Sequence, residues 1–140
     1  MTNEKIAVLV VDDEPDMLWA LNHALSRSGY RVVTASNAHG ALACLKEQDF
    51  ALAFVDVKLS DIDGLQLASV IREMNLGIRI IMISGYYYAN DPEIKQEFAQ
   101  RPYIDFVSKP FNLADIREAA EKALTSGENL SGASAWPTSS

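Results

Sequence analysis

The chain has 140 residues, 49% of them apolar and 22% charged, and a net charge of −7, enough apolar content for one globular domain with its own core. The acidic balance argues against direct nucleic-acid binding, which needs clustered Lys and Arg to neutralise phosphates, so proteins or cations are the expected partners. The longest aliphatic run, Ile6 to Val11, falls far short of the about 18 apolar residues of a membrane helix, and the polar start MTNEK carries no apolar signal region, so a cytoplasmic location is expected.

Short aliphatic or β-branched runs alternate with longer stretches whose apolar residues recur three and four apart. Ile6 to Val11 reads as a first strand, and Pro15 to Ser28 as a helix with Leu18, Leu21 and Leu25 on one face, opened by its proline and closed by Gly29. Arg31 to Ala35 follows as a strand, then a helix capped by Asn37 that carries Ala38, Ala41, Leu42 and Leu45. Ala51 to Val55 is the third strand. The helix after Gly64 buries Leu67, Ala68, Ile71 and Met74, and Gly77 helps to end it. Arg79 to Ile83 is the fourth strand, apolar almost throughout like the first, as strands buried on both faces are.

The fourth helix, Pro92 to Gln100, has only Ile94 and Phe98 as an apolar i, i+4 pair and is the least securely held. Ile104 to Val107 is the last strand, and a fifth helix after Asn112 turns Leu113, Ile116, Ala120 and Leu124 inward. Successive βα units imply parallel strands, right-handed crossovers and helices on both faces, a doubly wound α/β sandwich. From Thr125 the chain is rich in Ser, Gly and Ala without periodicity, which divides it into a domain over 1–124 and a disordered tail or linker remnant over 125–140.

In open parallel sheets, function gathers outside the carboxyl ends of the strands. The first strand runs into Asp12, Asp13 and Glu14, the third into Asp56, the fourth into Ser84, and the fifth into Ser108, Lys109 and Pro110. Carboxylates crowded on one rim repel unless one is protonated or a cation compensates. Oxygen ligands with an open position suit Mg2+, and Lys109 is a mobile point charge for phosphate. These are the parts of phosphoryl transfer, which is mainly positioning and charge neutralisation. Neither His23 nor His39 stands beside Ser84 as a base, whereas an ionised carboxylate needs none, so Asp56 is the better nucleophile and would form an acyl phosphate.

At these residues the sequence resembles the receiver domains of the bacterial two-component response regulators, chemotaxis response regulators among them. VLVVDDE, FVDVKLSDIDGL, IMISG and FVSKPF match the family's four signature segments in order and spacing, within a similarity from about Lys5 to Leu124. The resemblance implies a flavodoxin-like strand order 2-1-3-4-5. It implies that Asp56 accepts a phosphoryl group from a histidine kinase or phosphotransfer protein, with Mg2+ held by Asp13 directly, by Asp12 through water, and by Asp56 and the Lys58 carbonyl. Ser84 would turn to bond a phosphoryl oxygen, Lys109 would pair with the phosphoryl group, and Phe106 would be the aromatic switch. Phosphorylation would then reshape the surface of the fourth helix, fifth strand and fifth helix, which meets an effector protein or domain. A cis peptide at Lys109-Pro110 is expected as well.

The sequence departs from the pattern at Ser60, where the family usually has proline, at Lys58, whose side chain looks across the site, and at Tyr86, bulky beside the path of attacking water. Lys58 and Tyr86 are expected to tune the lifetime of the phosphorylated state. Residues 125–140 are too short for a DNA-binding module, which leaves open a free-standing receiver or one cut from a larger regulator or hybrid kinase. Whether phosphorylation drives homodimerisation is also left open.

Blander readings stand beside these. Asp12 and Asp13 could simply cap the first helix. Cys44, the single cysteine, sits among Ala41, Leu42 and Leu45 as a structural thiol and cannot form an internal disulfide or a Cys-rich zinc site. His23 is read as solvated, Trp19 as packed at a helix edge, Tyr86 to Tyr88 as packing under the fourth helix, and Trp136 as part of the disordered tail. The competing functions differ at single positions. A haloacid-dehalogenase-like phosphatase needs a general-acid aspartate where Lys58 stands. A flavin carrier needs a hydroxyl-rich phosphate loop where Asp12, Asp13 and Glu14 stand. A receiver-like module that is never phosphorylated usually lacks a site residue, and none is missing here. The expected protein is a signalling switch that catalyses only its own phosphorylation and dephosphorylation.

Overall fold

The computed structural model describes residues 5–74, 77–84, 92, 96, 104–109 and 111–128. Among them β1 (Ala7–Val11), β2 (Arg31–Ala35), β3 (Leu52–Asp56), β4 (Arg79–Ser84) and β5 (Ile104–Ser108) form one parallel sheet in the order β2-β1-β3-β4-β5. The helices are α1 (Pro15–Arg27), α2 (Ala38–Glu47), α3 (Gly64–Met74) and α4 (Leu113–Glu128). The doubly wound sheet and its strand order are those expected. The fourth helix expected from the sequence lies outside the described residues apart from Pro92 and Gln96, so α4 corresponds to the expected fifth helix.

The central strands β1 and β3 are buried along their whole length, and their alternating side chains feed two cores. Leu9, Val11, Ala53, Val55, Ile80 and Met82 meet α2 and α3 through Ala41, Leu45, Leu67 and Ile71. On the other face, Val8, Val10, Phe54, Ile81 and Ile83 meet α1 and α4 through Leu21, Leu25, Ile116 and Ala120. Phe54, wholly buried two residues before Asp56, anchors the central strand, and truncating such a ring costs about 3–5 kcal/mol.

Local chemistry sets the helix ends. Pro15 occupies the start of α1, and Gly29 adopts φ 98° after its end, a conformation that favours glycine. The amides of Gly29 and Tyr30 donate to the carbonyls of Ser26 and Leu25 at 3.0 and 3.1 Å, the Schellman arrangement, with Tyr30 and Leu25 in the same core. Asn37 caps α2 as expected, its Oδ1 accepting from the Gly40 amide at 2.7 Å.

Several details differ from the sequence reading. β3, β4 and β5 each run one residue further, to Asp56, Ser84 and Ser108, because their register continues into the polar residues: Asp56 pairs with Ile83 and Ser84 with Ser108. Ile6 precedes β1 and is 45% exposed. Met74 and Leu113, expected inside, are 43% and 39% exposed; each is an end residue of its helix as described. α4 runs on to Glu128, past Leu124. Among the described residues no helix is long and apolar enough to cross a membrane.

Candidate phosphoryl and metal site

The ends of β1, β3, β4 and β5 bring together the residues singled out from the sequence. Asp12 follows β1, and its amide still donates to the Ala35 carbonyl of β2 at 3.2 Å. Its carboxylate is wholly buried: Oδ1 accepts from the Glu14 amide at 2.9 Å, and Oδ2 has no hydrogen-bond partner among the described residues. Asp56 closes β3, buried, and its Oδ1 accepts weakly from the Lys58 amide at 3.3 Å. One carboxylate oxygen from each of Asp12, Asp13 and Asp56 lies within 4.8 Å of the others, with Asp13 exposed at the mouth. Ser84 is buried at the end of β4, and the Lys109 amide donates to its carbonyl at 2.7 Å, which ties the lysine to the same rim.

Burial pushes the Asp12 carboxyl up from 3.8 to about 6, reinforced by the charge of Asp56 and opposed by the Glu14 amide and Lys109. Asp56 is also raised, first by burial and then by Asp13 and Glu14; Lys109 and the Lys58 amide hold it down. Two raised carboxyls and an orphaned buried oxygen mark a site that lacks positive charge. An all-oxygen donor set of this kind fits a hard divalent cation. The capping role weighed for Asp12 and Asp13 is not what α1 uses, since its N-cap is Glu14, without a side-chain cap bond.

The loop after Asp56 is folded back on itself. The Gly64 amide donates to the Val57 carbonyl at 2.8 Å, and Lys58 and Asp63 form an isolated antiparallel bridge. A side-chain carbon at Gly64 would collide with the main chain of Asp56 and Val57. At the loop's tip the Asp61 carboxylate accepts from the amides of Ala38 and His39 at 3.0 and 3.1 Å.

The response regulator receiver domain pattern matches residues 8–121. The chain belongs to this family. Receivers of two-component response regulators are phosphorylated on an aspartate, take their signal from histidine kinases and act on effectors as switches. The receiver is 32% identical over 139 residues to the transcriptional regulatory protein ZraR of Salmonella typhimurium, covering 96% of this chain and 31% of that protein. It thus spans about a third of the length of that relative. It is 29% identical over 124 residues to sporulation initiation phosphotransferase F of Bacillus subtilis, covering 89% of this chain and 96% of that one. Among solved structures it is similar to a CheY-like receiver domain protein from Methanospirillum hungatei, with a TM-score of 0.82, 28% identity, and 90% and 98% of the two chains covered.

In this receiver Phe106 is half-buried against the core under α2 and α3. It pairs with Met82 where Ser84 pairs with Ser108, so Phe106 and Ser84 lie on one face of the sheet, one alternation apart. Tyr86 to Tyr88, Pro110 and Trp136, and with them the expected cis peptide, lie outside the described residues. Trp19 does not pack at an edge: it is 67% exposed and stacks on His23 at 5.1 Å. Cys44 is half-buried. Asp61 is the residue that sequence reasoning missed. Its partners sit 22 and 23 positions earlier, beyond the reach of any local pattern.

Proposed function

We propose that Asp56 is the phosphoacceptor of this receiver and that Asp12, Asp13, Asp56 and the Lys58 carbonyl hold Mg2+. The observation that carries the reading is the convergence of three carboxylates within 4.8 Å at the end of the central strand. A carboxylate oxygen of Asp56 attacks the phosphorus of a phosphohistidine; the new O–P bond forms as the N–P bond breaks, and the imidazole leaves as the neutral ring on taking a proton. Bound Mg2+ supplies charge neutralisation for the carboxylates and the phosphoryl oxygens. Lys109 places its ammonium over the added negative charge. Ser84 moves to bond a phosphoryl oxygen, which opens space on its face of the sheet for the Phe106 ring. The change of roughly −1.5 to −2 charge units biases two packings of the surface around β5 and α4.

The donor is a sensor histidine kinase or histidine phosphotransfer protein, and the output is an effector protein or domain. The receiver ends with α4 at Glu128 rather than at Leu124, and the residues after it serve as tail or linker. The chain acts in the cytoplasm, touches no nucleic acid itself, and catalyses only its own phosphorylation and dephosphorylation. Incubation with acetyl phosphate and Mg2+ followed by intact-mass measurement tests the reading. One phosphoryl group should be gained, and the gain should vanish in Asp56→Asn; steady turnover of a phosphate ester would point to a phosphatase instead.

A further inference from the structure

The loop between β3 and α3 carries Lys58, whose carbonyl the proposed function assigns to the metal, and the loop's base is pinned by the Gly64–Val57 hydrogen bond and the Lys58–Asp63 bridge. Its tip has no ladder of this kind. Ser60 stands where the family usually has a proline, so no ring fixes the backbone there. Leu59 and Ile62 pack half-buried against the core under α2 and α3, and between them Asp61 reaches out to a different element. Its Oδ1 accepts from the Ala38 amide at 3.0 Å and from the Ile62 amide at 3.1 Å. Its Oδ2 accepts from the His39 amide at 3.1 Å. These bonds hold the Asp61 carboxyl below its ordinary value, the Ala38 amide contributing most.

α2 has a cap of its own, because Asn37 accepts from Gly40 at 2.7 Å. Asp61 takes the two preceding amides. Two oxygens on two successive amides fix direction as well as distance, and bonds to an ionised acceptor are the stronger kind. The same junction also supports the acidic pair: Ala35, the last residue of β2, accepts from the Asp12 amide at 3.2 Å. Residues 35–39 thus hold Asp12 on one side and the tip of the Lys58 loop on the other.

We propose that Asp61 is a positioning residue for phosphorylation: its fork onto the first turn of α2 sets where the Lys58 carbonyl stands relative to Asp12, Asp13 and Asp56, replacing the stiffness of a loop proline. The inference rests on the reading of Asp56 as phosphoacceptor, and it assigns Asp61 no contact with the reacting groups. If Asp61 only capped α2, its loss would loosen the helix start and leave the site's demand for cation untouched.

Three variants separate these roles: Asp61→Ala, Asp61→Asn, and Asp61→Ala combined with Ser60→Pro. Ser60 does not have positive φ and its amide makes no hydrogen bond among the described residues, so proline there removes no backbone bond. The readouts are amide hydrogen exchange at Ala38 and His39, and the Mg2+ dependence of phosphorylation by acetyl phosphate, followed by intact mass.

In Asp61→Ala both amides should exchange faster, and the Mg2+ concentration for half-maximal rate should rise about tenfold, the usual scale for losing a residue that orients a metal ligand. Asp61→Asn, with one acceptor oxygen left, should fall between. Adding Ser60→Pro should bring the Mg2+ requirement back toward wild type while the two amides stay unprotected. An unchanged Mg2+ requirement in Asp61→Ala, no restoration by Ser60→Pro, or wild-type amides that already exchange freely would each overturn the positioning role. Failure of the reading it rests on shows separately, as a wild-type chain that gains no phosphoryl group on Asp56.

Discussion

Gly64 and Asp56 touch through their backbones: the Gly64 Cα faces the Asp56 carbonyl oxygen with no room for a side-chain carbon between them. The first turn of α3 is thereby packed directly against the residue proposed as phosphoacceptor. The approach depends on the missing Cβ, not on an unusual φ, since Gly29 is the described residue with positive φ. Gly64→Ala should push loop and strand apart and destabilise the fold by about 1–3 kcal/mol, the range for forcing atoms into a packed interior. Urea denaturation measures the loss, and a parallel phosphorylation assay should show a slower rate at saturating Mg2+.

Among the described residues, Asp12 keeps a carboxylate oxygen buried without a hydrogen-bond partner. Asp12→Asn should therefore stabilise the metal-free protein at pH 7 by about 1–2 kcal/mol. That is less than the full equivalent of a carboxyl raised from 3.8 to about 6, because the new amide also needs hydrogen bonds. The same substitution should weaken Mg2+ binding. Denaturation in a chelator, repeated across a Mg2+ titration, should show the stabilities of the two proteins cross as the cation is added.

The sign of the pH dependence follows from the same group. Between 3.8 and about 6 the folded state binds more protons at Asp12 than the unfolded chain does. Its contribution to stability is therefore full below the lower value and is lost as pH rises through about 6. Protons and cation compete for the oxygen, so apparent Mg2+ affinity should climb across that window and level off above it. Calorimetric titrations at several pH values, with proton release measured below pH 6, check both directions.

Lys109 is the cation that holds Asp56 and Asp12 down against the pull of burial. Lys109→Met should move both carboxyls further up, visible in a carboxyl-selective NMR titration. It should also slow phosphorylation by about 10²-fold, the scale for removing one charge-stabilising donor. Because the Lys109 main chain still donates to the Ser84 carbonyl at 2.7 Å, the thermal midpoint should change little.

Much of this was legible in the chain itself, since strand and helix periods are local. The runs at Ala7–Val11 and Arg79–Ser84 announce strands buried on both faces, and Pro15 and Gly29 bracket α1 through backbone chemistry that needs no neighbour. The polar residues after each aliphatic run, taken with the rule that function sits at strand ends, also bring Asp12, Asp13, Asp56, Ser84 and Lys109 to one rim. The burial of helix ends was not legible. Met74 and Leu113 belong to correct apolar stripes yet stand exposed, because a stripe gives a direction and not the extent of what covers it. Trp19 likewise turns to solvent and finds its partner one turn away in His23.

The sequence by itself determined the alternation of elements, the parallel sheet and the identity of the acidic rim, all of which follow from spacing along one strand or one helix. Only the tertiary structure decided how charged that rim is, because the rise of Asp12 to about 6 depends on burial by segments far away in sequence. It alone decided that Gly64 must lack a side chain, since the atom in the way belongs to Asp56. It alone joined Asp61 to Ala38 and His39, because a hydrogen bond between a loop and the start of a distant helix is set by where the sheet places them.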